Sequence, residues 1–209
     1  MPLTPAPDGA IFDFDGVIID SLAPVETAIN GTLRAHGYPT RAAAELARFI
    51  GPPTPTAFVE LMGVAEDSAT VAVAVATYHA IFARVYLEQT RLVDGMAEVL
   101  HGLTIPLALA TAKERRFVGP LLERFGLEFA VISAPELAEP KAETVARAQR
   151  ELGARQPVVI GDRCYDIDAA RANGLRVIAV TWGVGDREEL RDADFIVERP
   201  DQLARLLRT

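Results

Sequence analysis

Two aspartates, Asp13 and Asp15, close an otherwise apolar run, IFDFDGVIIDS, over residues 11–21. At i and i+2 in extended backbone both side chains leave the same side of the chain, roughly 6.5 to 7 Å apart. Two ionised carboxylates at that spacing repel by about 2 to 3 kcal/mol at an effective dielectric near 20, and burial adds a desolvation cost. A cation or a bound reactant offsets that repulsion. Gly16 follows at once and permits a tight turn that lets the backbone approach a ligand. The plainer account is a strand-to-loop turn whose aspartates only cap backbone N–H groups.

Other residues of the same chemical kind stand far away in sequence. They are Thr111-Ala112-Lys113, then Lys141, then the run Gly161-Asp162-Arg163-Cys164-Tyr165-Asp166. Together with Asp13 and Asp15 they supply four acids, a hydroxyl and two ammonium groups. The chain has 21 basic residues, of which only Lys113 and Lys141 are lysines. Arginine does not replace lysine where a compact ammonium is required, so both positions carry information. A carboxylate can attack a phosphate monoester dianion only where a divalent cation and positive groups surround the transferring phosphoryl. Mg²⁺ suits such an all-oxygen site, because it keeps several waters and needs few carboxylates.

Each residue also has an ordinary use. Thr111 reads equally as a helix N-cap. Lys113 competes with Lys141 for the ammonium role, but it opens the charged run KERR, whose usual place is a solvated helix face. Asp168 is expected to complement a helix dipole. His36, His79 and His101 lie far in sequence from the acidic segments and speak against a histidine nucleophile. Trp182, in a Gly-flanked turn, is expected to pack.

Short apolar runs over 10–14, 106–110, 129–132, 158–160, 177–180 and 195–197 alternate with amphipathic segments over 113–125, 142–152 and 166–173. Continuously apolar strands alternating with helices imply a parallel sheet covered on both faces, an α/β Rossmann-like core. In such sheets ligands bind beyond the carboxyl ends of the strands, where the acids, Thr111 and the lysines fall. Some ninety residues separate the first two strands, far more than a crossover helix requires. Within them 22–36, 41–50, 56–62 and 66–89 read as helices, with Gly37, Pro39, Gly51-Pro52-Pro53 and Gly63 as breakers. The expected organisation is therefore a core of 1–17 and 91–209 with an inserted α-helical cap domain over 18–90. Arg48, Thr54 and Thr56 flank the cap's GPP turn and are candidates for contacting a substrate.

The 209 residues carry 21 Lys and Arg against 29 Asp and Glu, a formal charge of -8, with no basic run. That argues against a nucleic-acid phosphate backbone as partner. Half the residues are hydrophobic and 24% are charged, which is globular rather than disordered. The single cysteine, Cys164, excludes an internal disulfide framework and suits a reducing cytoplasm. The first ten residues lack the basic and apolar regions of a secretory signal. The apolar tract over 69–86 contains His79 and Arg84 and is expected to fall short of a membrane span.

The motifs Asp13-Phe14-Asp15-Gly16-Val17, Thr111, Lys141 and Gly161-Asp162 with Asp166, in this order, resemble those of the haloacid dehalogenase superfamily. The run VTWGVGDREEL over 180–190 and IGPP over 50–53 are similar to phosphoglycolate-phosphatase-like members. The resemblance implies a Mg²⁺-dependent phosphatase acting on a small phosphorylated metabolite. Asp13 would be the nucleophile and a metal ligand. Asp15 would be the acid and base, with its carbonyl on the metal. Asp162 and Asp166 would complete the metal set. Thr111, with backbone N–H groups near Gly16 and Ala112, would hold the phosphate, and Lys141 would neutralise the nucleophile. Dehalogenases need no Asp15, and phosphonate-cleaving relatives need a cap lysine that is absent over 18–90. Val17, where phosphatases commonly have Thr, keeps a phosphosugar mutase open, and a non-catalytic module binding Mg²⁺ or phosphate is the rival of another class. The oligomeric state is not readable from the sequence.

Overall fold

The computed structural model describes residues 3–135 and 139–208. In chain order, β1 (Ala10–Phe12) and β2 (Ile19–Asp20) lead into α1 (Leu22–Ala35), α2 (Ala43–Leu46), a 3-10 turn (Ala47–Phe49), α3 (Thr54–Met62) and α4 (Ala69–Gln89). Then come β3 (Arg91–Leu92), α5 (Met96–Gly102), β4 (Leu107–Ala110), α6 (Arg115–Phe125) and β5 (Val131–Ser133). The chain finishes with α7 (Lys141–Leu152), β6 (Val158–Gly161), α8 (Cys164–Ala172), β7 (Arg176–Val180), β8 (Phe195–Val197) and α9 (Pro200–Leu207). It divides into two compact units, with boundaries after Asp20 and before Leu92.

The first unit is built on a six-stranded parallel sheet in the order β5-β4-β1-β6-β7-β8. The central strands β4, β1 and β6 are apolar on both faces, and Ala10, Ile11, Phe12, Val158 and Ile160 have no exposed surface. Ile11, Ala108, Val159 and Val177 form one core with Val145 and Ala148 of α7 and Ile167 and Ala170 of α8. Burying each such branched side chain is worth about 1.5–3 kcal/mol, so the sheet is fixed by what covers it. Phe12 meets Phe129 edge to face, with ring centroids 6.4 Å apart. Chain order reverses at β1, which lies between β4 and β6. Phe12 is level with both Leu109 and Ile160, so the residues just past these three strands emerge side by side at the switch point.

The second unit is helical. α1 lies along α4, and Gly31 permits the approach: a Cβ there would sit 2.8 Å from Ile81 Cδ1. Phe82 stacks between Tyr78 and Tyr86 on α4, and Phe58 of α3 meets Tyr78 edge to face. Asn30 exchanges two hydrogen bonds with the Arg41 backbone, of 2.8 and 2.9 Å, fixing the segment that leaves α1.

Three local expectations need correction. The first strand ends at Phe12 rather than residue 14, because the chain bends after Asp13 and turns at Gly16, where φ is 81°. The single helix expected over 41–50 is the short α2 followed by a 3-10 turn. The tract expected to fall short of a membrane span belongs to α4, whose 21 residues are long and apolar enough to cross one by length and composition alone. It packs against α1 and α3, and Val71, Ala74 and Phe82 are its buried residues. The two-residue strands β2 and β3, which pair with each other, had no sequence signal.

Candidate active site

Asp13 stands one residue past β1, and its N–H still donates to the Ile160 carbonyl at 2.8 Å, extending the ladder by one step. Its Oδ1 accepts from the Phe14 N–H at 2.7 Å and lies 2.6 Å from Lys141 Nζ. Lys141 Nζ is also 3.0 Å from Asp166 Oδ1. One oxygen each of Asp13, Asp162 and Asp166 lies within 4.8 Å of the others.

Local folding fixes each member. Lys141 is the first residue of α7 after Pro140, whose ring presets the start of the helix. The preceding Glu139 accepts from Thr144 Oγ1 at 2.9 Å and pairs with Arg147, which also donates to Ser133 Oγ at 3.0 Å. That clamp ties the start of α7 to the end of β5, and the Arg147 guanidinium holds the Glu139 carboxyl below its usual range. Asp166, in the first turn of α8, accepts from the Asp162 and Arg163 N–H groups through Oδ2, at 3.1 and 3.2 Å. Glu189 accepts from Arg163 Nε and the Cys164 N–H at 2.7 and 2.9 Å, closing the same turn.

Asp162 is held by a loop that sequence reasoning did not assign to the site. Its Oδ2 accepts from the Val184 N–H at 2.7 Å, and its carbonyl accepts from the Gly185 N–H at 3.1 Å. A Cβ on Gly16 or Gly183 would lie 2.2 Å from Asp162 Oδ2, so both backbones approach because they carry no side chain. Trp182, in the same loop, donates from Nε1 to the Val17 carbonyl at 3.0 Å, pinning the turn after Asp15. The glycine spacing in WGVG was the readable signal.

Asp15 departs from the three-acid group. Its Oδ1 lies 3.0 Å from Lys113 Nζ, and the two side chains are 13% and 8% exposed. The solvated helix face expected for Lys113 is therefore wrong. The helix begins only at Arg115, and Lys113 sits upstream in a turn closed by its own N–H on Thr111 Oγ1, at 3.0 Å. Thr111 is buried just past β4, with its N–H on the Ser133 carbonyl at 3.0 Å, and Glu114, not Thr111, occupies the N-cap of α6. Ala112 is exposed in the turn between Thr111 and Lys113. In the helical unit, Arg48 lies in the 3-10 turn, ion-paired with Glu60 of α3 and over the Phe49 ring, and Thr54 opens α3.

The charges do not cancel. Four carboxyl groups face two ammonium groups. Burial pushes the Asp13 carboxyl up to about 7 against the pull of Lys141, and Asp166 and Asp15 push the same way. Burial also raises Asp162, aided by Asp166 and Asp13. At Lys141 burial opposes the charge, but Asp13 and Asp166 outweigh it and raise the pKa. Asp162 Oδ1 is buried and receives no hydrogen bond from any described residue. An orphaned carboxylate oxygen beside two further acids, all oxygen donors with a net negative charge, fits a hard divalent cation.

Residues 10–180 match the family model described as haloacid dehalogenase-like hydrolase. The protein named "Probable phosphatase IndB" from Dickeya dadantii is 30% identical over 88% of this chain and 85% of its own length. A phosphoglycolate phosphatase from Synechococcus elongatus is 29% identical over 92% of this chain and 93% of its own. A crystal structure of a predicted phosphatase from Clostridium acetobutylicum superposes with a TM-score of 0.85 and 29% identity, covering 95% of this chain and 97% of that one.

Proposed function

The chain belongs to the family of haloacid dehalogenase-like hydrolases, and from that premise we propose a Mg²⁺-dependent phosphatase that hydrolyses a small soluble phosphomonoester through a phosphoaspartate on Asp13. The observation that carries this reading is the pairing of two carboxyl groups with two separate lysines: Asp13 with Lys141, and Asp15 with Lys113. Hydrolysis of a phosphomonoester needs a nucleophile and a proton carrier in one site, and the pairing keeps them apart.

In the first step an Asp13 oxygen attacks phosphorus. The Asp13 O–P bond forms, the P–O bond to the leaving group breaks, and the leaving oxygen takes a proton from Asp15. In the second step Asp15 takes a proton from water as that water attacks phosphorus, and the Asp13 O–P bond breaks to release phosphate. Lys141 spreads positive charge over the nucleophile and the phosphoryl oxygens as they approach. Thr111, whose oxygen accepts from Lys113, keeps its own proton to donate to a phosphoryl oxygen. The N–H groups around Gly16 and Ala112 serve the same oxygens. Asp13, Asp162 and Asp166, with the Asp15 carbonyl, are assigned to Mg²⁺. When bound, the ion supplies the positive charge that lets an anionic nucleophile meet an anionic phosphate.

The helical unit, expected over 18–90, is assigned the part of a cap, with Arg48 and Thr54 among the residues that select the leaving group. A covered, water-poor site favours small phosphates over macromolecules. Phosphoglycolate is the first compound to test, on the likeness of the 180–190 and 50–53 runs to phosphoglycolate-phosphatase-like sequences. The single cysteine fits a cytoplasmic enzyme.

The test is a panel of small phosphomonoesters with and without Mg²⁺, read as released phosphate. The reading expects Mg²⁺-dependent release from at least one soluble metabolite. Val17 keeps transfer to a sugar as a second reading, and a rearranged sugar phosphate without net phosphate release would favour it. Metal binding with no turnover of any ester would favour a non-catalytic module.

A further inference from the structure

Lys113 has no part in the motif resemblance that identified Asp13, Asp15, Thr111 and Lys141, yet its side chain is as enclosed as those of Asp13, Asp15 and Lys141. We infer that Lys113 is the positioning residue for Asp15, holding one carboxyl oxygen so that the other carries the proton to and from the reacting oxygens. The inference rests on the phosphatase reading above, which uses the Asp15–Lys113 contact but gives Lys113 no part in the chemistry.

Five observations carry it. Lys113 Nζ lies 3.0 Å from Asp15 Oδ1 with both side chains nearly buried. That oxygen is shielded from solvent and receives no hydrogen bond from another described group, so the ammonium is what offsets its burial. The Lys113 backbone is fixed by its N–H on Thr111 Oγ1, which couples the proton carrier to the residue assigned to the phosphate. Lys141, the other lysine, is already engaged by Asp13 and Asp166 and cannot serve Asp15 as well. Among 21 basic residues the only two lysines are these two, one beside Asp15 and the other beside Asp13 and Asp166. A planar guanidinium does not fit where one compact ammonium must reach one oxygen between neighbouring loops.

The chemical consequence follows from the inventory of a carboxyl group. With Oδ1 accepting from the ammonium, the mobile proton resides on Oδ2. Proton transfer requires about 2.6–3.2 Å between that oxygen and the leaving oxygen. Without Lys113, repulsion from Asp13 two residues away frees Asp15 to leave that position. The nucleophile, Lys141 and the three-acid group remain. Proton delivery suffers, while attack does not.

The experiment compares kcat/KM, which reports only the steps up to departure of the leaving group, for an alkyl phosphate that the wild type hydrolyses and for p-nitrophenyl phosphate. An alkoxide needs protonation to leave and a nitrophenolate does not. Lys113→Met is expected to lower kcat/KM for the alkyl ester about a hundredfold or more and for the nitrophenyl ester by no more than about tenfold. Lys113→Gln, which keeps a donor without the charge, should fall between and covers the case in which Lys113→Met does not fold. In an Asp15→Asn background Lys113→Met should not change the ratio further. Equal losses on both esters, no loss on either, or a further change of the ratio in the Asp15→Asn background would overturn the inference and leave the phosphatase reading standing. Absence of turnover by the wild type would overturn both.

Discussion

Lys141 Nζ lies 2.6 Å from the same Asp13 oxygen that accepts the Phe14 N–H, so the carboxylate assigned to attack is gripped from two sides. Removing the ammonium leaves Asp13 and Asp166 without the cation they share. Lys141→Met should lower kcat by at least about a hundredfold, the scale expected for losing one preorganised charge at a developing anion. Steady-state kinetics beside circular dichroism checks this. Lys141→Arg should recover little, because a guanidinium cannot occupy a point contact to two carboxylates.

The same burial predicts an unusual pH response. In the Mg²⁺-free protein Asp13 titrates near 7 rather than 3.8, and Asp162 is also raised. The folded state then binds more protons than the unfolded state between these values. The Asp13 contribution to stability is fully present below pH 3.8 and is lost as pH rises through about 7, amounting to roughly a few kcal/mol, and Asp162 acts in the same direction. Mg²⁺ should therefore raise Tm more at pH 7.5 than at pH 5. Thermal melts at both pH values, with Mg²⁺ and with chelator, measure the difference.

Asp162 Oδ1 has no hydrogen-bond partner among the described residues, whereas Oδ2 holds the Val184 N–H. Asp162→Asn keeps an acceptor for Val184 and deletes one negative charge. It should weaken Mg²⁺ binding at least about tenfold in calorimetric titration and raise the Tm of the metal-free protein. The two effects have opposite signs, which separates a metal ligand from a purely structural acid.

Gly16 joins the turn after Asp15 to Asp162. Its φ is 81°, and a Cβ would fall 2.2 Å from Asp162 Oδ2. Gly16→Ala should lose about 1–3 kcal/mol of stability in urea unfolding, from backbone strain and displacement of the carboxylate, and should weaken Mg²⁺ binding as well.

Much of this arrangement is written in the chain. Alternation of apolar runs located all six strands of the parallel sheet, because strands buried on both faces must be continuously apolar. Reading only the strand ends then singled out Asp13 and Asp162, and the motif resemblance chose Lys141 over Lys113. Lys113 was misplaced because a charged run does not reveal where a helix starts. The turn on Thr111 delays α6 to Arg115 and directs Lys113 inward. The 182–185 loop was overlooked because its work is done by backbone N–H groups and missing side chains, which leave no chemical signature beyond glycine spacing. Strands of two residues, such as β2 and β3, are too short to show any period.

The central claim is that Asp13 is the atom source for a covalent phosphoenzyme. Turnover of p-nitrophenyl phosphate in Mg²⁺ by wild type and by folded Asp13→Asn tests it most directly. The account predicts steady turnover by the wild type and a loss of at least about a thousandfold in the variant, some 4 kcal/mol of barrier. Activity of Asp13→Asn within about tenfold of wild type, only ~1.4 kcal/mol, would contradict it.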